Sequence, residues 1–278
     1  MTSVRLGIAG WVAVILVNVF LWAPLIVIGI LAFSDANSMT FPPPRFSTRW
    51  FEVLATDPDW TDAILTSVQL GIACTGLSLL LGVPLGLGLS RGAIGSSKLA
   101  QGLVAAPMVM PAICLAIGFY FVSAKFGLLG TLFPLVVAHA TVSVPYVVVT
   151  VYAADRSIDK ALEPAARTLG ASFLRAIWSI TLPLIGVGVA GGAVLAFLHS
   201  WDDIVNALML GTAVIRPFPM KLWNEMQHVL YPIADSAAVL LSVVSIVVLG
   251  SVGLMLYVIK NRMPENFAAS IIFRKNAP

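Results

Sequence analysis

Apolar residues run along the chain in long blocks without charge, separated by short polar segments. The blocks cover residues 6–33, 63–90, 99–124, 126–154, 184–201 and 236–259, and each approaches or exceeds the roughly 20 residues a helix needs to cross a bilayer. None shows the period-two alternation of a membrane β-barrel. Backbone polar groups inside lipid must be satisfied within their own segment. The pattern therefore predicts an all-α polytopic membrane protein with six transmembrane helices, and residues 1–278 read as a single transmembrane domain. The first block exceeds the roughly 7–15-residue apolar core of a signal peptide, so it reads as a retained helix.

Three connections are longer than hairpins. Residues 34–62 carry Pro42-Pro43-Pro44 and then Phe46, Trp50, Phe51 and Trp60, which suits an interfacial aromatic belt or a short surface helix. Residues 203–235 form another. The connection 155–183 opens on Asp155, Arg156, Asp159 and Lys160 and then turns helical. There Ala161, Leu162, Ala165, Ala166 and Leu169 recur at a spacing of three to four, which lines up one narrow apolar face. Gly170 is a natural helix stop. A second amphipathic piece, 173–180, leads to Leu182-Pro183 and the next span. A short helix with a small-residue face and charged flanks fits a groove on a partner. An amphipathic connector lying on the membrane fits the same periodicity.

Composition agrees with lipid as the solvent. The 278 residues are 59% hydrophobic and 10% charged, against about 25% charged in soluble domains, and mean hydropathy is +0.97. The net charge is +3, with Lys and Arg at helix ends and in loops, a pattern of topology control rather than a nucleic-acid surface. With the N-terminus inside, Arg5, Arg91, Lys98, Arg156, Lys160, Arg167, Arg175, Lys260, Arg262, Arg274 and Lys275 face the cytoplasm, and Arg45, Arg49, Lys125, Arg216 and Lys221 face out. The bias is roughly two to one, which places both termini in the cytoplasm.

Candidate chemistry is sparse. Cys74 and Cys114 lie in apolar stretches and read as small buried hydrophobes. His139, His199 and His228 are far apart, and no HExxH or GxSxG pattern occurs. No catalytic residue and no metal ligand set is predicted. Ionisable residues near a span tend to face a pathway or the bundle interior. Asp202 and Asp203 lie near the outer end of the fifth span, ~27 Å of helix from its start. They read either as an acidic pathway lining or as a helix-end pair in the interface, with Trp201 and His199 beside them. His139 and His199 also read as hydrogen-bonded to neighbouring helices, and Asn18, Gln69 and Asn206 as inter-helix polar contacts. Pro24, Pro84, Gly86, Pro145, Gly188, Gly191 and Gly192 allow close helix approach and kinks.

The 155–183 connection resembles the EAA loop of ATP-binding-cassette importer permeases. That pattern is Glu-Ala-Ala, three residues, Gly, nine residues, Ile, one residue, Leu-Pro. Ala165, Ala166, Gly170, Ile180, Leu182 and Pro183 fall at its spacing. The departure is Pro164 in the position of the motif's Glu, with Glu163 one residue earlier. Proline is tolerated in a first helical turn. The resemblance spans roughly residues 6–259 and extends in particular to the spermidine/putrescine-type permeases. "FSTRWFEVL", "APMVMPAICLAIGF" with Pro107 and Pro111, "LAFLHSWDDIVNALML", "FPMKLWNEM" and "PIADSAAVLLSV" carry it.

This resemblance implies a type I importer permease with a MetI-like transmembrane domain in a bacterial inner membrane. Its coupling helix would lie between the fourth and fifth spans, with Glu163, Ala165, Ala166, Gly170, Ile180, Leu182 and Pro183 contacting the ATPases. The implied partners are a second, non-identical permease, two cytosolic ATPase subunits and a periplasmic solute-binding protein. The chain has no phosphate-binding Gly-Lys-Ser/Thr loop, so ATP and Mg²⁺ are expected on the partner ATPases and no cofactor on this chain. Ala112 stands where the polyamine group often carries an acid. The expected cargo is a small cationic or zwitterionic solute, a polyamine or an amino-acid derivative. A self-sufficient secondary transporter or channel is the alternative, but inverted repeats and paired intramembrane charges are not seen in the sequence.

Overall fold

The computed structural model describes residues 7–93, 98–228 and 232–262. The first residue of the first apolar block and Arg5, Arg274 and Lys275 of the charge count lie outside the described residues. Four uninterrupted helices are long and apolar enough to cross a membrane: α1 (Ile8–Leu31), α3 (Pro58–Ser90), α6 (Leu132–Ser157) and α13 (Pro232–Arg262). The other two expected spans are bent pairs, and with them the total reaches six. Among the described residues there is no strand, only an isolated bridge between Ser34 and Phe46.

The span expected at 99–124 is broken into α4 (Lys98–Val109) and α5 (Ala112–Lys125), which meet at 89°. Pro111 forms the N-cap of α5. It has no N–H to give a preceding turn and disfavours helical backbone at Met110. The fourth span starts at Leu132 rather than 126, because Gly127 and Gly130 take φ of +66° and +85°, values that no continuing α-helix contains. The fifth span, α10 (Gly186–Asp202), is preceded by an arm bent 72° from it. That arm is α8 (Phe173–Ala176), a π-helical stretch Ile177–Thr181 and α9 (Leu182–Leu184).

The described residues gather into two compact units. One holds residues up to Asp62 together with Lys221–Val243. Its α1 is exposed from Trp11 to Val27, as expected of a helix apolar all round with lipid as its solvent. The aromatic connection contains the short helix α2 (Arg49–Thr56), with Trp50 buried and Phe51 tilted against Phe33. The Ser236 hydroxyl donates to the Ala32 carbonyl at 2.7 Å. Asn18 donates to Val14 O of its own helix, not to another helix.

The other unit, Ala63–Met220 with residues from Val244, contains the elements discussed below. Its core is α6, packed against α10 and against α3. Helices in lipid associate through close van der Waals contact between small residues, and both interfaces use glycines four apart. A Cβ on Gly82 or Gly86 of α3 would lie 2.7 Å from Val147 Cβ or 2.9 Å from Val151 Cβ. On Gly188 or Gly192 of α10 it would lie 2.5 Å from Ala154 Cβ or 2.6 Å from Thr150 Oγ1. Gly191 has nothing within 4 Å and takes no part in these contacts. Leu87, Val147, Val151, Ile185 and Ala196 form the apolar cluster around this contact.

Candidate functional site

The 155–183 connection folds as its periodicity predicts. The loop helix α7 runs Leu162–Thr168. Pro164 lies in its first turn, where a backbone N–H would have no helical partner. The helix ends as a Schellman motif: Gly170 takes φ +92°, its N–H reaches Arg167 O at 3.0 Å, and Ala171 N–H reaches Ala166 O at 3.1 Å. Ser172 then caps α8 by accepting from Arg175 N–H. Ala165, Gly170 and Pro183 are exposed, and Ala166, Ile180 and Leu182 are half-buried. Leu182 packs against the Leu87–Val147 cluster. Leu162, Leu169, Phe173 and Leu174 stay exposed, Leu169 to 90%. The corner between α7 and α8 therefore presents bare apolar side chains on the loop that the charge count assigns to the cytoplasm.

Behind this corner lies a polar cluster whose pairing the sequence reading did not identify. Glu163 points inward. Its Oε2 accepts from Arg91 Nη1 at 2.7 Å and from Thr181 Oγ1 at 3.1 Å. Arg91 Nη2 also lies 3.3 Å from Asp155 Oδ1 and 3.3 Å from Thr181 Oγ1. The Asp155 side chain is fully buried and further accepts from Lys160 Nζ at 2.5 Å and from the Ser90 hydroxyl. Arg91, Asp155, Lys160, Glu163 and Thr181, with Ile158, Leu162, Pro164 and Ile180, line a cavity of about 200 Å³. A buried carboxylate is tolerated only when paired and hydrogen-bonded, and Asp155 is both. The available signal was the location of Arg91 and the 155–183 loop on the same predicted side of the membrane.

The four candidates near the outer end of the fifth span divide. Trp201 is 1% exposed, lies 6.0 Å from both the Phe197 and Phe218 rings, and fills the core of its unit. Asp203 is the N-cap of α11 (Ile204–Leu210): its carboxylate accepts from Asn206 N–H at 3.1 Å and from Asn206 Nδ2 at 2.6 Å. Its Oδ2 also faces His199 Nε2 at 3.8 Å and His139 Nε2 at 4.0 Å. His139 is buried and shares a 3.0 Å hydrogen bond with Ser200 Oγ across the α6–α10 contact, the inter-helix role read from the sequence. Asn206 spends its amide on Asp203 within its own turn rather than on another helix. Asp202 is exposed. Of the acidic pair, only Asp202 keeps its carboxylate open to the surroundings.

Comparison with known proteins agrees with this architecture. Residues 78–263 match the family described as "Binding-protein-dependent transport system inner membrane component". The Mycobacterium tuberculosis molybdenum transport system permease protein ModB is 34% identical over 224 residues, covering 74% of this chain and 82% of that protein. The Escherichia coli spermidine/putrescine transport system permease protein PotC is 27% identical over 228 residues, covering 82% and 86%. A chain of a bacterial ABC transporter involved in alginate import superposes with a TM-score of 0.64 at 19% identity, covering 92% of this chain and 97% of that one; at that identity the likeness shows the fold. The helical membrane architecture, the family match and these permease relatives together show that this chain belongs to the binding-protein-dependent transport system inner membrane components, as an integral inner-membrane permease subunit of a type I ABC importer.

Proposed function

We propose that two cytosolic ATPase subunits dock on the α7–α8 corner and drive import through this chain and a second, non-identical permease. The observation that carries this reading is the exposed apolar set Leu162, Leu169, Phe173 and Leu174, set on a loop fixed from behind by the Arg91–Glu163–Asp155 cluster. Exposed apolar side chains on a rigid frame suit a protein partner better than water. Both termini and this loop face the cytoplasm. ATP and Mg²⁺ are bound by the ATPases, and this chain performs no bond chemistry. A periplasmic binding protein hands over the solute; an alginate transporter of similar fold, TM-score 0.60, was solved in complex with a periplasmic protein.

The solute in this reading is small and cationic or zwitterionic, a polyamine or an amino-acid derivative. The exposed Asp202 carboxylate and the likeness to PotC and the putrescine permease PotI support it. The likeness to ModB favours a second reading, a molybdenum-containing cargo. Affinity purification of this chain from its native membrane, with mass spectrometry of what accompanies it, tests the assembly. Recovery of an ATPase and a second permease supports it, and recovery of the chain alone and monodisperse refutes it. Titrating the co-purified binding protein with putrescine, spermidine and molybdate then separates the two cargo readings.

A further inference from the structure

Building on the docking reading above, we propose that Arg91 is the positioning residue of the loop, and that through it α3 receives the loop's displacement. The loop is joined covalently to α6 and α10, yet neither junction is a stiff connection. Ile158, after the last residue of α6, is extended, with φ −88° and ψ 156°. The path into α10 passes through a π-helical stretch and a 72° bend. α3 is instead one helix of 33 residues, and its last residue is followed directly by Arg91.

The guanidinium of Arg91 reaches three separate segments: Glu163 in the first turn of α7, Thr181 at the approach to α10, and Asp155 in the last turns of α6. A planar fork of donors can hold several acceptors in one fixed geometry, which a lysine ammonium on a flexible stem does less well. Asp155 in turn holds Arg91 in place, since its other contacts, to Ser90 and Lys160, fix the carboxylate. Pro164 occupies the motif Glu position and Glu163 precedes it. The Glu163 carboxylate is committed to Arg91, 72 residues away in sequence. A push on the α7–α8 corner reaches the inner end of α3 through charge-assisted hydrogen bonds, the stronger kind.

Hydrogen exchange on the co-purified complex, with and without a non-hydrolysable ATP analogue, tests this for Arg91→Ala and Arg91→Lys. The lysine variant keeps a positive charge beside Asp155 and serves if the alanine variant does not fold. Without nucleotide, amides of residues 165–171 are expected to exchange about tenfold faster in both variants, the loss of roughly one charge-assisted bond from local opening, with α6 and α10 unchanged. Unchanged exchange at 165–171, or an equal rise throughout α6 and α10, overturns the proposal. With the analogue, the parent is expected to change at 165–171 and at 84–91, and the variants only at 165–171. A response at 84–91 that survives in the variants also overturns it. A parent with no response at 165–171 refutes ATPase docking instead, and the nucleotide-free exchange still decides whether Arg91 holds the loop.

Discussion

Gly188→Ala adds a single methyl group to α10 where it meets α6. The added carbon would lie 2.5 Å from Ala154 Cβ and 2.8 Å from the Thr150 carbonyl oxygen, whereas ordinary contact begins at 3.4 Å. Backbone and a short side chain cannot swing aside, so the helices must part by roughly 0.9 Å, which loosens the buried cluster of Val147, Val151 and Ala196. Overpacking of this kind costs about 1–3 kcal/mol. Alanine also gains about 1 kcal/mol of helix propensity over glycine, which would mask part of the effect. Gly191→Ala removes that ambiguity: it makes the same exchange in the same helix, with nothing within 4 Å of the new carbon. The difference between the two variants is then the packing cost, roughly a 5- to 150-fold shift in the unfolding equilibrium. Unfolding of the purified chain in mixed micelles by SDS titration, followed by tryptophan fluorescence, measures it. Equal stability of the two variants would refute the argument that α6 and α10 are held by glycine-mediated contact.

Asp155→Ala leaves Arg91 and Lys160 without their shared buried partner; since both cations are partly exposed and can rehydrate, the expected loss is about 1–3 kcal/mol in the same titration. Asp203→Ala removes the α11 cap and costs about 1 kcal/mol, while Asp202→Asn changes stability by less than about 0.5 kcal/mol and lowers solute uptake. Radiolabelled putrescine uptake into cells checks the latter, and full uptake by Asp202→Asn would remove that carboxylate from the pathway. Gly170→Asp forces a side chain into a φ of +92° at a cost of about 1–2 kcal/mol and places a charge in the docking corner. It is expected to remain in the membrane but to lose ATPase co-purification and uptake; undiminished uptake counts against the coupling role of the loop.

The six apolar blocks, the loop helix and its stop at Gly170 were legible in the sequence for a common reason. Each depends on neighbours within a few residues: a run long enough for lipid, a three-to-four spacing, a glycine where the backbone turns left-handed. The likeness to importer permeases rested on residues at fixed local spacing and was legible for the same reason. What was not legible depends on partners far apart in the chain. Periodicity could not show that the third span breaks by 89° at Pro111, because a proline in a span is compatible with either a kink or a full corner. Nor could it separate Asp202 from Asp203, adjacent in sequence but divided by where α10 stops and α11 begins. It counted Arg91 only as a charge on the cytoplasmic side. Its distinct place came from the tertiary fold, which brings Asp155, Glu163 and Thr181 around one guanidinium from 64, 72 and 90 residues away, because a cation beside a buried carboxylate takes whatever acceptors the packing of α3, α6 and the loop delivers to it.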